Sequence, residues 1–235
     1  MKPRLLLLED EPTSRMFLTA ALADLPVEVD VAGTVAEGWA MAAGGGYTLW
    51  LFDANLPDGT GSGLLAQLRA DGLGTPAIAH TAAAGEDEKA RLLADGFDTV
   101  VVKPLPATDW RDTVRTALDG ATGLPVGEAV AAYAVEDTPV WDDAAAAAAL
   151  AGNRDNVAAL RQLFLAELPA ARDRIVAAAS YGDDAGVRDA LHRLHASCGF
   201  VGAARLDAAG RALREAPACE ARLQAFLEAV NETAG

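Results

Sequence analysis

Five short apolar runs, separated by amphipathic stretches, restrict the fold of this chain more than any other feature. They are RLLLL at 4–8, VEVDVA at 27–32, TLWLFD at 48–53, PAIAH at 76–80 and DTVVV at 98–102. Between them apolar residues recur at helical spacing, as in Met16, Phe17, Ala20 and Ala21, or Leu64, Leu65 and Leu68, or Ala90, Leu93 and Ala94. Strands alternating with helices predict an α/β doubly wound, five-stranded parallel sheet covered on both faces. Such a sheet gathers its chemistry in the crevice at the carboxyl ends of its strands.

The texture changes at residue 119. The stretch DGATGLPVGEAVAAYAVEDTP at 119–139 has glycines, prolines and no sustained period. It reads as a linker with one helical turn near Glu128–Tyr133. Everything beyond is helical and rich in alanine. Asp142 or Asp143 starts one helix, Asn153 caps a second that Pro169 bends, and Asp183 or Asp184 caps a third. Gly199 and Gly202 interrupt that third pattern before a helix over Ala203–Glu215, and Pro217 precedes a last helix over Ala218–Val230. Short joints between helices predict an all-α antiparallel bundle. The expected division is 1–120, a linker at 121–139, and a four-helix bundle at 140–235.

Charge excludes some partners. The 235-residue chain carries 19 basic and 34 acidic side chains, a net charge of −15. Residues 1–120 hold 9 basic and 18 acidic groups, and 121–235 hold 10 and 16. Neither half offers the basic surface that grips nucleic acid or anionic lipid. No apolar run is long enough to span a bilayer, so membrane insertion is not expected. The start, MKPRLLLLEDEP, does not read as a signal peptide, and Cys198 and Cys219 do not make a disulfide framework. A cytoplasmic protein is expected.

The strand ends carry a specific set of side chains. Strand one ends in Glu9 and Asp10, strand three in Asp53, strand four at Thr81 and strand five at Lys103. Gathered carboxylates repel one another and need a cation, and a set of hard oxygen ligands points to Mg²⁺. A carboxylate beside Mg²⁺, with a lysine and a threonine aimed at the same point, suits phosphoryl transfer. Asp53 would attack phosphorus, while Lys103 and Thr81 would hold the equatorial oxygens. Each residue alone could be an ordinary cap or turn. The set at successive strand ends is what carries the reading.

LLLLEDEPTSR, LWLFDANLPDGTG, AIAHTA and VVKPL resemble the receiver domain of bacterial response regulators, which implies a flavodoxin-like fold. By that resemblance Asp53 is the phosphoacceptor. Glu9 and Asp10 hold Mg²⁺, Asp10 directly and Glu9 through water, and the Asn55 backbone carbonyl is a further ligand. Thr81 and Lys103 match the family's hydroxyl and lysine, and Pro57 and Gly59 shape the loop after Asp53. One residue departs: Val100 stands where the family carries an aromatic switch.

The second half holds His192 and His195 within LHRLHASCGFVGAARL. On a helix, Val187, Leu191, Leu194 and Cys198 form one apolar stripe that faces the core. His192 lies off it, flanked at helical spacing by Arg188, His195, Ala196 and Gly199. An exposed imidazole, with a reference pKa of roughly 6.5, is mostly neutral in the cytoplasm and is a competent nucleophile toward phosphorus. Two surface histidines without a role, or a Zn²⁺ pair, are the alternatives; the latter lacks further ligands nearby. The stretch resembles the histidine phosphotransfer (HPt) pattern, with His192 at the phosphorylated histidine, Ser197 at the serine, and Gly202, Ala203 and Leu206 at later positions. The family's lysine is His195 here and its glycine is Ala196. The resemblance implies that Arg188 and His195 support the phosphoryl group, with Ala196 and Gly199 at the docking surface.

The expected function is a phosphorelay intermediate. Asp53 accepts a phosphoryl group from a histidine kinase, and His192 exchanges it with a receiver aspartate. This describes a two-component signalling phosphoprotein that assists its own phosphorylation and dephosphorylation, more than an enzyme with a separate substrate. The competing reading is a phosphorylation-controlled interaction module, whose bundle docks partners or inhibits the receiver without phosphotransfer. A dehalogenase-type phosphatase is disfavoured, because Asn55 stands where that chemistry needs a general acid.

Overall fold

In the computed structural model, residues 2–82, 85–120, 138–150 and 154–235 are described. The chain divides into two compact units, Met1–Glu128 and Ala129–Gly235. In the first, strands β1 (Arg4–Leu8), β2 (Glu28–Ala32) and β3 (Leu49–Asp53) are followed by a two-residue hairpin, β4 (Asn55–Leu56) and β5 (Gly59–Thr60). Strands β6 (Ala77–Thr81) and β7 (Thr99–Val102) complete the set. The main sheet is parallel and has the order β2-β1-β3-β6-β7. All five strands expected from the sequence are present. Helices α1 (Pro12–Ala21), α2 (Val35–Ala43), α3 (Gly61–Ala70), α4 (Glu86–Ala94) and α5 (Ala107–Leu118) connect and follow them.

The central strands lie inside the protein on both faces, which is why they read as continuous apolar runs. Leu6, Leu8, Trp50, Phe52, Ala77 and Ala79 join Leu64, Leu65, Leu68 and Leu92 of α3 and α4 in one core cluster. The alternate residues Leu5, Leu7, Leu51 and Ile78 are equally buried and point to the other face. There α5 docks on α1: Trp110 is fully buried and its indole N–H donates to the Leu18 carbonyl at 3.2 Å. Each buried side chain of this size contributes about 1.5–3 kcal/mol.

The second unit is helical: α6 (Asp143–Ala149), α7 (Arg154–Ser180), α8 (Asp184–Val201), α9 (Ala204–Glu215) and α10 (Glu220–Ala234). All five helical segments read from the sequence are present, the short α6 among them, so the bundle has five helices rather than four. Asp142 caps α6 and Asp183 caps α8. Helix α8 lies against α6, α7 and α9, and Val187, Leu191, Leu194 and Cys198 are all buried, as their spacing predicted. Among the described residues no helix is long and apolar enough to cross a membrane.

Several boundaries differ from expectation. Helix α7 continues through Pro169 to Ser180, as expected, whereas α10 runs past the expected Val230 to Ala234. Gly199 does not interrupt α8; Gly202 does, with φ at 72°. Its amide plane is pinned, because the Asp142 N–H donates to the Gly202 carbonyl at 2.7 Å. A Cβ at Gly202 would meet the Asp142 carbonyl oxygen at 2.3 Å, so both conformation and space call for glycine there. Thr138 and Pro139, expected in the linker, lie against α9: their carbonyls accept from Arg205 Nε at 2.8 Å and Arg205 N at 3.1 Å. The rest of that stretch, with the expected turn near Glu128–Tyr133, lies outside the described residues, as does Asn153.

Candidate functional site

The crevice at the carboxyl ends of the sheet is built by register. Leu8 pairs with Ala32 and Phe52, which sets Glu9 just beyond the end of β1, near the end of β3. Asp53 pairs with His80, and Thr81 with Val102, which puts Lys103 just beyond them. Lys103 Nζ donates to Asp53 Oδ2 at 2.6 Å and to Glu9 Oε2 at 2.8 Å. All three residues are buried. The second Asp53 oxygen accepts the Asn55 backbone N–H at 2.9 Å. The Lys103 N–H donates to the Thr81 carbonyl at 2.7 Å, and Thr81 is fully buried. Asp10 is half-buried beside Glu9. Glu11 turns away: its carboxylate caps α1, accepting from Thr13 N at 3.2 Å and Ser14 N at 2.5 Å. Val100 is half-buried and packs against the core cluster.

Burial and charge oppose each other here. Burial raises the Asp53 carboxyl, but the Lys103 ammonium, His80 and the Asn55 N–H outweigh it and hold it below its usual value. Burial pushes Glu9 up to about 8, with Lys103 pulling against it. Lys103 is held above its usual value by Asp53 and Glu9 despite its own burial. The site therefore keeps a charged lysine against an ionised Asp53.

His80 also faces the crevice. Its Nδ1 lies 3.8 Å from Asp53 Oδ2 and 3.6 Å from Glu9 Oε2. The cause is register: paired residues on neighbouring strands share a face, and Asp53 pairs with His80 rather than Thr81. Burial, followed by the Lys103 charge, pushes the imidazole down to about 3. The ring meets Trp110 edge-on, with centroids 5.7 Å apart.

Two further residues shape the loop after Asp53. A Cβ at Gly61 would stand 2.3 Å from the Asp53 carbonyl oxygen, so only glycine lets α3 start this close to β3. Asp58 reaches across to α2, accepting from Val35 N at 2.9 Å and Ala36 N at 3.2 Å. The sequence reading singled out neither residue: the second glycine of DGTG is a local signal for a close approach, whereas the target of Asp58 has none.

In the helical unit His192 is half-buried, not fully exposed as expected. Ala196 is buried, at 2% exposure, which corrects its placement on a docking surface; Gly199 is half-buried. Three helices crowd α8, and the side facing them takes in Ala196. Arg188 is exposed and lies 3.9 Å from Asp184. His195 turns to α9, where Nδ1 meets the Asp207 carboxylate; Arg211 Nη2 bonds the other Asp207 oxygen at 2.5 Å. Burial raises the Asp207 carboxyl, but the hydrogen bond and charge of His195 and the charge of Arg211 outweigh it and depress it.

A depressed carboxyl contributes stability that is present above its unfolded value, about 3.9, and is lost as the pH falls through the folded value. Asp207→Asn is expected to lower stability by about 1–3 kcal/mol at pH 7. The deficit should begin to shrink below about pH 4, as the unfolded carboxyl takes up its proton, and should vanish only at a pH below the depressed folded value, where both are protonated. Urea midpoints of the helical signal at the two pH values check this, and an equal deficit at both would contradict it.

A parallel sheet with an acid–lysine crevice at its strand ends, in one chain with a helical bundle carrying a histidine, defines a two-domain signalling class. Residues 5–115 match the family described as Response regulator receiver domain, and residues 159–234 match the Hpt domain family. The chain carries a receiver domain followed by an Hpt domain. It is 32% identical over 115 residues to the transcriptional regulatory protein CusR of Escherichia coli (strain K12), covering 49% of this chain and 51% of that one. It is 26% identical over 203 residues to the signal transduction histidine-protein kinase BarA of the same strain, covering 84% of this chain and 22% of BarA. A solved CheY-like receiver domain from Methanospirillum hungatei JF-1 aligns at a TM-score of 0.48 with 28% identity, covering 51% of this chain and 96% of that one. The chain thus spans about half the length of CusR and about a fifth of BarA.

Proposed function

We propose that the chain is a phosphorelay intermediate, with domains at 1–120 and 140–235. The observation that carries this is the Lys103 ammonium bonded to both Asp53 and Glu9 in the strand-end crevice, on the same chain as the His192 helix. Asp53 is the phosphoacceptor. Its carboxylate oxygen bonds to phosphorus as the P–N bond of a donor phosphohistidine breaks, and the imidazole nitrogen keeps the electron pair. Lys103 and the Thr81 hydroxyl hold the phosphoryl oxygens. The donor set fits Mg²⁺, since Glu9, Asp10, Asp53 and the Asn55 carbonyl offer hard oxygens. The ion supplies neutralisation of phosphoryl charge when bound.

His192 exchanges the group with a receiver aspartate, with Arg188 and His195 one turn away on either side as supporting neighbours and Gly199 on the approach side. The partners are a histidine kinase and one or more receivers, in the cytoplasm, without nucleic acid or membrane insertion. The half-burial of His192 favours the second reading, in which the bundle only docks partners.

One experiment separates the two. Acetyl phosphate and Mg²⁺ should give a base-labile acyl phosphate on the full chain. Incubation with a phosphorylated receiver should give an acid-labile, base-stable phosphohistidine. The first adduct without the second leaves the docking module, and neither adduct ends both readings.

A further inference from the structure

His80 is an unused ligand walled into an acidic crevice. It is fully buried, and neither ring nitrogen makes a well-formed hydrogen bond, the Leu51 backbone being the one main-chain group that bears on the ring. Such unmet buried nitrogens are uncommon and unfavourable. Nδ1 faces Glu9 Oε2 at 3.6 Å and Asp53 Oδ2 at 3.8 Å. One ligand atom from each of the three residues lies within 4.8 Å of the others. Ligand atoms around a tetrahedral Zn²⁺, at bond lengths of about 2.0–2.1 Å, stand roughly 3.3 Å apart. A contraction of a few tenths of an ångström brings the two His80 separations to that spacing.

The place such an ion would take now belongs to the Lys103 ammonium, which holds the same two oxygens at 2.8 and 2.6 Å. The pair already binds a cation, so the question is which cation wins. Lysine brings one charge and offers His80 nothing. A borderline-soft dication brings two charges and accepts the imidazole lone pair. Mg²⁺ gains little from the ring, because it prefers oxygen ligands.

We propose that His80, Glu9 and Asp53 form a site for Zn²⁺ that displaces the Lys103 ammonium and blocks the phosphoacceptor. Metal binding does not depend on the function proposed above; only its consequence, the block, rests on that reading. No covalent bond forms or breaks. The ion takes Asp53 Oδ2 and Glu9 Oε2, and Lys103 moves off with its proton.

The test uses the full chain with His192→Gln, His195→Gln and Cys219→Ser, which removes competing ligands. Titration calorimetry with Zn²⁺ in excess Mg²⁺ should find one site. His80→Leu should weaken it at least about 10-fold, as losing a direct ligand costs no less than losing an outer-shell one. Lys103→Met should tighten it, because the competing cation is gone. Cu²⁺ in the parent protein should show imidazole nitrogen coupling by electron paramagnetic resonance, which keeps the test valid should His80→Leu fail to fold. Unchanged affinity in folded His80→Leu, weaker binding in Lys103→Met, or no nitrogen coupling would each overturn the site. Acetyl phosphate labelling measured without Zn²⁺ tests the receiver reading separately. Labelling that proceeds at saturating Zn²⁺ would overturn the block alone.

Discussion

Asp53→Asn is expected to reduce labelling of the receiver unit by acetyl phosphate and Mg²⁺ at least about a thousandfold, the scale of removing a nucleophile. The amide is nearly the shape of the carboxylate but has no anionic oxygen to attack phosphorus. It also removes one of the two oxygens that hold Lys103 Nζ, leaving Glu9 at 2.8 Å. The charge that would meet the phosphoryl group is then less well placed, and the two losses act in the same direction. Intact-mass spectrometry of both proteins after equal exposure reads the result. Equal labelling would mean that the acceptor is another residue and that the crevice has some other purpose.

His192→Gln should remove the acid-labile, base-stable adduct by a similar factor, about a thousandfold or more. His195→Gln should leave an adduct that forms more slowly. The difference rests on what each imidazole already holds. His195 Nδ1 is committed to Asp207, itself held by Arg211, and the ring lies in a pocket with Leu191, Leu194 and Cys198. It is built as a fixed neighbour. Its loss takes away a polar group one turn from His192, but not the atom that bonds to phosphorus. Mapping the adduct after incubation with a phosphorylated receiver distinguishes the two. An adduct on His195 in wild type, or a His192→Gln protein that accepts phosphate as well as wild type, would reverse the assignment.

The strands were legible because each buried run is apolar and ends in a chemically distinct residue, so alternation with helices and strand-end chemistry agreed. What was not legible depends on long-range register and on neighbours. His80 and Thr81 are adjacent, and the sequence does not say which of them stands opposite Asp53; the pairing of β3 with β6 decides it. Ala196 reads as an open small residue until α8 is seen with helices on three sides. Gly199 reads as a break, yet only Gly202 sits where a neighbouring backbone requires a left-handed residue. Asp207 is 12 residues from His195, on another helix, and nothing in either local pattern announces their meeting.

The carboxylate of Asp58 ties two parts of the receiver unit into one mechanical linkage. It belongs to the loop that leaves Asp53, and it holds the first two amides of α2. A shift of that loop must carry the start of α2 along or strip both amides of their acceptor. Further along the same helix is Trp39, 39% exposed. Helix α2 is therefore geared to the loop after Asp53, and slowed or quickened amide exchange at Val35 and Ala36 measures that gearing directly.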